Sequence, residues 1–596
     1  MHAVWPEQFV EEGNLNKNVS MLRHALGESH SEYRYIETVP KCGYRFIADV
    51  RTVDCACEWM VETNGHASFV TGEETNDECS AVESATSLAA LPSQLAIELE
   101  QRRKRKTPLA LPLYLTASVI IALAAIFYIF YPSPGGEAID SVAVLPLINE
   151  AGEAEIDYLS DGISDSIINS LSRLPNLKVI SLNAVLRYRG KEVDPQVAGR
   201  ELNVRAVVMG RLTHRGDDLA ISAELVDVRD KRRLWGGQYT RKLSDILIVQ
   251  DEIAHEISNG LRLRLSGEEK RLLAKRYTEN TEAYQLYLKG RYFWNKRVGA
   301  SLQRAVGYFE QAVAADPLYA PAYAGLADCF ALYSTYEVAS GAEAFPKASE
   351  AARKALALDD ALAEAHTSLA FVLYRYEWDW AGAEREFKRA IQLNPNYATA
   401  HQWYGEYLAI IGRFDEALAQ QRVALSLAPL TFVIHIDSGW SFYLARRYEE
   451  ALAQYQKAHE IEPNSPMLHY CFYEAYEQMG KYPEAVDEHL AAMQSDGFTL
   501  EEIAHLKETF ITHGYERFIR ASLQKRAQRF RLSSVEIARD YARRNVRDQA
   551  FARLETALSD RDADLVYLKF HPAFDNLRGD PSYADLLRRM NLTLQK

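Results

Sequence analysis

The sequence predicts a multidomain chain in which a small α+β segment, one transmembrane helix, an α/β domain and an all-α solenoid follow one another. Three observations predict it: an uncharged run from Leu109 to Tyr131, alternating strand and helix signals from 139 to 266, and a 34-residue interval beyond 281. The composition fits such a chain. Of 596 residues 48% are hydrophobic and 25% charged, ordinary globular values, and at roughly 100–200 residues per domain the length calls for several units. A net charge of -14 excludes a chain that is basic throughout, so any nucleic-acid contact must be confined to a segment. Six cysteines in a chain of this length exclude a disulfide scaffold.

At the N-terminus Leu15, Val19, Leu22 and Leu26 recur at helical spacing, with Asn14 as N-cap and Gly27 as stop. The other face of that helix carries Asn16, Lys17, Ser20, Arg23 and His24. Two β-branched and aromatic runs, YRYIETV and YRFIADV, then flank Pro40-Lys41-Cys42-Gly43 and predict a β-hairpin. A polar-faced helix followed by a basic-tipped hairpin is how a winged helix meets DNA.

The stretch VWPEQFVEEGNLNKNVSMLRHALGE with YIETVPKCGYRF resembles the C-terminal half of an OmpR/PhoB-type winged-helix DNA-binding domain, in the variant of CadC/ToxR-like membrane-integrated regulators. The resemblance implies a partial winged helix over 1–53, with residues 14–27 as the recognition helix. It puts Lys17, Asn18, Ser20, Arg23 and His24 toward bases or phosphates, and Lys41 and Arg45 on the DNA backbone from the wing. The alternative for Arg45 is that it packs the hairpin. Two departures accompany the likeness. The family's domain opens with a small sheet and two further helices, whereas this sequence starts at Met1 where those end, so a truncated reader that binds DNA poorly is expected. Cys42 stands where related wings commonly carry arginine, the cation suited to a narrow minor groove.

Residues 54–106 form an acidic linker ending in the basic cluster Arg102-Arg103-Lys104-Arg105-Lys106. Cys55, Cys57, His66 and Cys79 lack a second ligand pair at zinc spacing, and no metal is expected. About 20 helical residues span a bilayer core, so residues 107–131 predict one transmembrane helix. The basic cluster before it, and the absence of Lys or Arg in PSPGGEAID after it, predict a single-pass protein with its N-terminus inside, and the resemblance to membrane-integrated regulators implies the bacterial inner membrane. The lipid bilayer is then a partner, the N-terminus is cytoplasmic and the C-terminal region periplasmic.

From 137 to 266 the signals are a buried strand at 139–147, a helix at 158–174, a strand at 177–182, a short helix at 196–202, a hairpin of 206–213 with 219–228, a strand at 233–239 and a helix at 246–265. The pattern SVAVLPL...YLSDGISDSIINSL...LWGGQYTRKLSDI resembles a TolB-N-terminal-like α/β domain of the kind that precedes repeat arrays in bacterial regulators. Asp161 and Asp165 near the helix start read as partners of its dipole rather than as catalysts. Trp235-Gly236-Gly237 reads as a turn or bulge, since the chain has no GxxxxGK[ST], and His255-Glu256 lacks the second histidine of HExxH. No enzyme and no cofactor are expected.

Ala383, Ala417, Ala451 and Ala485 lie 34 apart, as do Pro395, Pro429 and Pro463, and Ala390, Ala424, Ala458 and Ala492. Small residues where two antiparallel helices touch, with proline closing the second helix, predict a tetratricopeptide (TPR) solenoid over 281–497. Degenerate repeats and a cap are expected over 498–596. Its aromatics, Trp403 and Trp440 among them, read mainly as repeat core, and Cys329 and Cys471 as free thiols. The function expected is a membrane-anchored one-component transcriptional regulator that binds DNA inside the cell and senses outside it. A protein or peptide is expected on the concave face of the repeats, and a homodimer on two half-sites. The alternative is a membrane-anchored repeat scaffold whose DNA-binding segment is vestigial.

Overall fold

The structure, a computed structural model, describes residues 36–39, 43–46, 139–150, 152, 156–263 and 265–592. In the N-terminal unit, β1 (Ile36–Val39) and β2 (Gly43–Phe46) form an antiparallel hairpin with Ile36 opposite Phe46 and Val39 opposite Gly43. The expected recognition helix at 14–27, the linker at 54–106 and the run at 107–131 lie outside the described residues.

The membrane expectation is corrected. Among the described residues no helix is long and apolar enough to cross a membrane, and a single-pass inner-membrane placement with the bilayer as partner has no support in the fold. Its helices bury one stripe and charge the other: in Trp380–Leu393, Ala383, Phe387 and Ala390 are buried while Arg385, Lys388 and Arg389 face outward, a pattern made for water on one side. The four-part fold class gives way to a mostly helical repeat solenoid with a small sheet region.

That sheet begins the second unit. β3 (Ser141–Val144) pairs in parallel with β5 (Lys178–Val179) on one side and β6 (Ala206–Arg215) on the other, and β4 (Ile148–Asn149) also pairs with β6. The antiparallel strands β7 (Asp218–Asp227) and β8 (Arg233–Lys242) complete it. Gly216, at φ +63°, supplies the left-handed turn that closes β6 onto β7. Trp235-Gly236-Gly237 lies within β8 rather than in a turn, and the ladder shifts register beside it, between Leu225 and Val226. The strand expected at 177–182 is only two residues long because Ser181 leaves the sheet and donates its N–H to the Leu427 carbonyl. α1 (Asp157–Ser172) buries Leu159, Ile163, Ile167 and Leu171 on the sheet, and α4 (Ile246–Gly260) buries Val249, Ile253 and Ile257. Each such side chain contributes about 1.5–3 kcal/mol. Between them lie α2 (Leu182–Val185) and α3 (Pro195–Glu201), and α5 (Gly267–Leu273) leads to the repeats.

Six antiparallel helix pairs follow: α6 (Thr281–Trp294) with α7 (Gly299–Ala315), α8 (Ala320–Leu332) with α9 (Gly341–Leu358), α10 (Ala363–Val372) with α11 (Trp380–Leu393), α12 (Ala398–Ile411) with α13 (Phe414–Leu427), α14 (Phe432–Leu444) with α15 (Tyr448–Ile461), and α16 (Pro466–Gln478) with α17 (Tyr482–Ser495). The alanines at 34-residue spacing, Ala383 to Ala485 and Ala390 to Ala492, are all fully buried. Successive first helices also touch one another, α8 with α10 and α12 with α14, which places them on the inner side of the array.

The C-terminal part does not simply extend the stack. After the pair α18 (Leu500–His513) and α19 (Tyr515–Arg529) come α20 (Ser534–Arg543) and α21 (Arg547–Ser559), two 3-10 segments (Ala563–Lys569 and Pro572–Leu577) and α22 (Pro581–Arg589). This last stretch turns back and packs against the third, fourth, fifth and sixth pairs.

Candidate nucleic-acid hairpin and the inner face of the repeats

Of the seven residues expected at a DNA interface, Arg45 is described: it stands in β2 directly opposite Glu37. Lys41 falls in the connection of the hairpin, and Lys17, Asn18, Ser20, Arg23 and His24 fall in the expected helix, all outside the described residues. The hairpin tip therefore follows Val39, and Arg45 is set back from it by the register of the ladder.

The inner face of the repeats is covered by the chain's own C-terminal stretch. Arg375, at the end of the first helix of the third pair, is buried and donates to Glu406 on α12, to the Tyr567 hydroxyl at 2.9 Å and to the Ala563 carbonyl at 3.3 Å. Tyr567 also donates to Glu406. Trp380 donates its indole N–H to the Met590 carbonyl at 2.8 Å, and Arg446 pairs with Asp575 at 2.7 Å. One repeat further, Glu474 on α16 receives Arg539 and Arg543 from α20, and Arg543 also pairs with Glu477 at 2.8 Å. Apolar contact joins these ion pairs: the Phe570 ring closes on Gly412, and Trp440 and Tyr443 pack on His571.

A column of histidines ties the first helix of a pair to the second. His366, His401 and His435 each set Nε2 within 3.0 Å of a carbonyl six residues earlier and Nδ1 against a side chain of the second helix, namely Glu386, Gln420 and Gln454. His469 sets Nδ1 against Glu488. His401, His435 and His469 are 34 apart, a signal the alanines and prolines leave unread. These imidazoles tie helices together. Among the described residues no cluster of three metal-ligating side chains occurs.

Asp161 and Asp165 are likewise bound by arginines. Burial pushes the Asp161 carboxyl up to about 6 against the pull of Arg189, its ion-pair partner. Asp165 pairs at 3.2 Å with Arg291 of α6, which also reaches Asp328 of α8. Glu256 accepts from the Trp235 indole and the Tyr239 hydroxyl, both at 2.7 Å, which accounts for the His255-Glu256 pair. Cys329 and Cys471 are free and buried.

Residues 1–46 match the family model described as "Transcriptional regulatory protein, C terminal". Over 244 residues the chain is 33% identical to the "Putative adenylate cyclase 3" of Rhizobium meliloti (strain 1021), covering 41% of this chain and 41% of that protein. It is 25% identical over 311 residues to "Transcriptional regulator HilA" of Salmonella typhimurium, covering 51% of this chain and 53% of that protein. The chain thus spans about half or less of these curated relatives. Among solved structures, that of pilF from Pseudomonas aeruginosa matches at 18% identity and a TM-score of 0.27, over 35% of this chain and 93% of that one.

Proposed function

We propose that this chain is a DNA-binding transcriptional regulator whose reader is the segment 1–53 and whose repeat region carries regulatory contacts. The observation that carries the reading is the family match over residues 1–46, which ends on the antiparallel hairpin of β1 and β2. In this reading residues 14–27 enter the major groove, Lys17, Asn18, Ser20, Arg23 and His24 meet bases and phosphates, and Lys41 and Arg45 hold the backbone from the wing. Two copies on paired half-sites suit a reader of this kind. The sheet region fits the α/β module expected from its resemblance to TolB-N-terminal-like domains, and the helix pairs fit a protein-interaction solenoid. A protein or peptide docking on the inner face competes with residues 563–592 of the same chain. No cyclase activity is proposed, since the stretch shared with the putative cyclase covers less than half of either protein.

The test is selection by the full-length chain from a pool of random DNA duplexes. The reading predicts enrichment of one short motif, lost when Asn18 and Arg23 are replaced by alanine. Recovery of an unenriched pool overturns it.

A further inference from the structure

A cavity of about 100 Å³ lies where the sheet region meets the first three helix pairs. α1 contributes Ser166 and Arg173, α4 Gln250, α6 Tyr284 and Tyr287, and α8 Tyr319. Its walls are fixed to one another. Arg291 joins Asp165 of α1 to Asp328 of α8, and the Asn396 amide donates to the Ser172 and Leu177 carbonyls at 2.9 and 2.8 Å.

On the lining, Gln250 and Arg173 lack the partner their chemistry asks for, and Glu364 is a carboxylate with no ion-pair partner among the described residues. Gln250 is only 5% exposed; its Oε1 accepts from the Tyr284 hydroxyl, while its Nε2 has no hydrogen-bond partner among the described residues. A buried donor left without a partner destabilises the fold. The second group is Arg173. The other cations of the lining are each matched by carboxylates: Lys275 by Asp359, Arg276 by Asp251, and Arg291 by Asp165 and Asp328. Arg173 has no carboxylate within ion-pair distance among the described residues; it lies over the Tyr277 ring and reaches only the Leu272 carbonyl, at 3.4 Å. An unmatched guanidinium and an unmatched amide N–H in a tyrosine-walled cavity call for a ligand that is anionic at one end and apolar at the other.

We propose that this cavity is a binding site for a small organic carboxylate, its anionic end on Arg173 with Gln250 Nε2 donating to it, and its apolar body among Tyr284, Tyr287 and Tyr319. The inference is independent of the DNA-binding reading. A ligand there bridges the sheet region and the repeats, and stabilises the chain by mass action.

Calorimetric titration of the full chain with benzoate and with hexanoate tests it, benzylamine and benzyl alcohol serving as the cationic and neutral probes. At least one carboxylate is expected to bind and to raise the melting temperature, while the amine and the alcohol do neither. Losing a charge-assisted hydrogen bond of about 1.5–3 kcal/mol weakens binding about tenfold or more, so Arg173→Gln is expected to reduce affinity by that factor. Gln250→Leu, which removes the unmatched donor and leaves the Tyr284 hydroxyl to Ser166, is expected to weaken binding, and it decides the matter if Arg173→Gln fails to fold. Absence of binding by both carboxylates at millimolar concentration, binding of benzylamine as tight as that of benzoate, or unchanged affinity in the folded variants overturns the proposal.

Discussion

Arg375 and Tyr567 stand 192 residues apart in sequence and are hydrogen-bonded at 2.9 Å, with Glu406 accepting from both. Arg375 and Glu406 are 8% and 6% exposed, so the triad is a desolvated ion pair whose satisfaction depends on the C-terminal stretch. Breaking a buried pair at one partner costs about 3–5 kcal/mol, whereas removing one neutral donor costs about 1–3 kcal/mol. Glu406→Leu is therefore expected to lower unfolding stability substantially and Tyr567→Phe modestly. Urea unfolding followed by tryptophan fluorescence measures both, and equal, negligible effects refute the triad's role.

His571 makes the same junction sensitive to acid. Burial holds its pKa down to about 4, against an unperturbed 6.5, in spite of the Glu474 carboxylate 3.5 Å away. At neutral pH the ring is uncharged, and Arg539 and Arg543 are the cations paired with Glu474. Because the unfolded chain binds the proton more readily, this contribution is complete above about pH 6.5 and is lost as pH falls through 6.5 toward 4. At 1.36 kcal/mol per pKa unit the loss is about 3 kcal/mol. His571→Asn is expected to flatten the stability profile over that window, read as the difference between the two proteins. That difference excludes His401 and His489, also held down by burial, and the carboxyls of Asp328 and Asp437, which burial pushes up to about 6 and about 7. Parallel profiles contradict the assignment.

Two glycines separate close packing from helix propensity. A Cβ on Gly439 of α14 meets the Tyr455 ring of α15 at 2.2 Å, and that ring is fully buried. Gly439→Ala is expected to destabilise by about 1–3 kcal/mol through overpacking. Gly307 in α7 has nothing within 4 Å of the same position, and Gly307→Ala is expected to stabilise by about 0.5–1 kcal/mol. Opposite signs in thermal unfolding check both, and a neutral Gly439→Ala contradicts the packing.

Much of the repeat array is legible in the chain because helix pairs repeat the same contact every 34 residues, and Ala383 or Ala424 must be small wherever the contact recurs. The return of the C-terminal stretch is not legible. Arg539 and Arg543 read as a solvent-facing helix edge until Glu474, more than sixty residues earlier, is brought beside them. The sheet's strands are visible as β-branched runs, but the two-residue length of β5 depends on Leu427 capturing Ser181 from another module. At the candidate DNA site the hairpin follows from its composition and from Pro40 between two β-branched runs, and its register puts Arg45 opposite Glu37. An uncharged stretch such as 109–131 satisfies the length rule for a membrane span, yet hydrophobic length alone does not specify a bilayer, and no described helix matches one.

The most direct test of the central claim is fluorescence anisotropy of the full-length chain on duplex DNA as salt is raised. The proposed reader predicts weak binding, measurable at low salt, that falls linearly on a log-log plot, with the slope reduced by about one for each phosphate-contacting cation removed, Arg23→Ala and Lys41→Ala among them. No binding at low salt, or a slope that these substitutions leave unchanged, contradicts it.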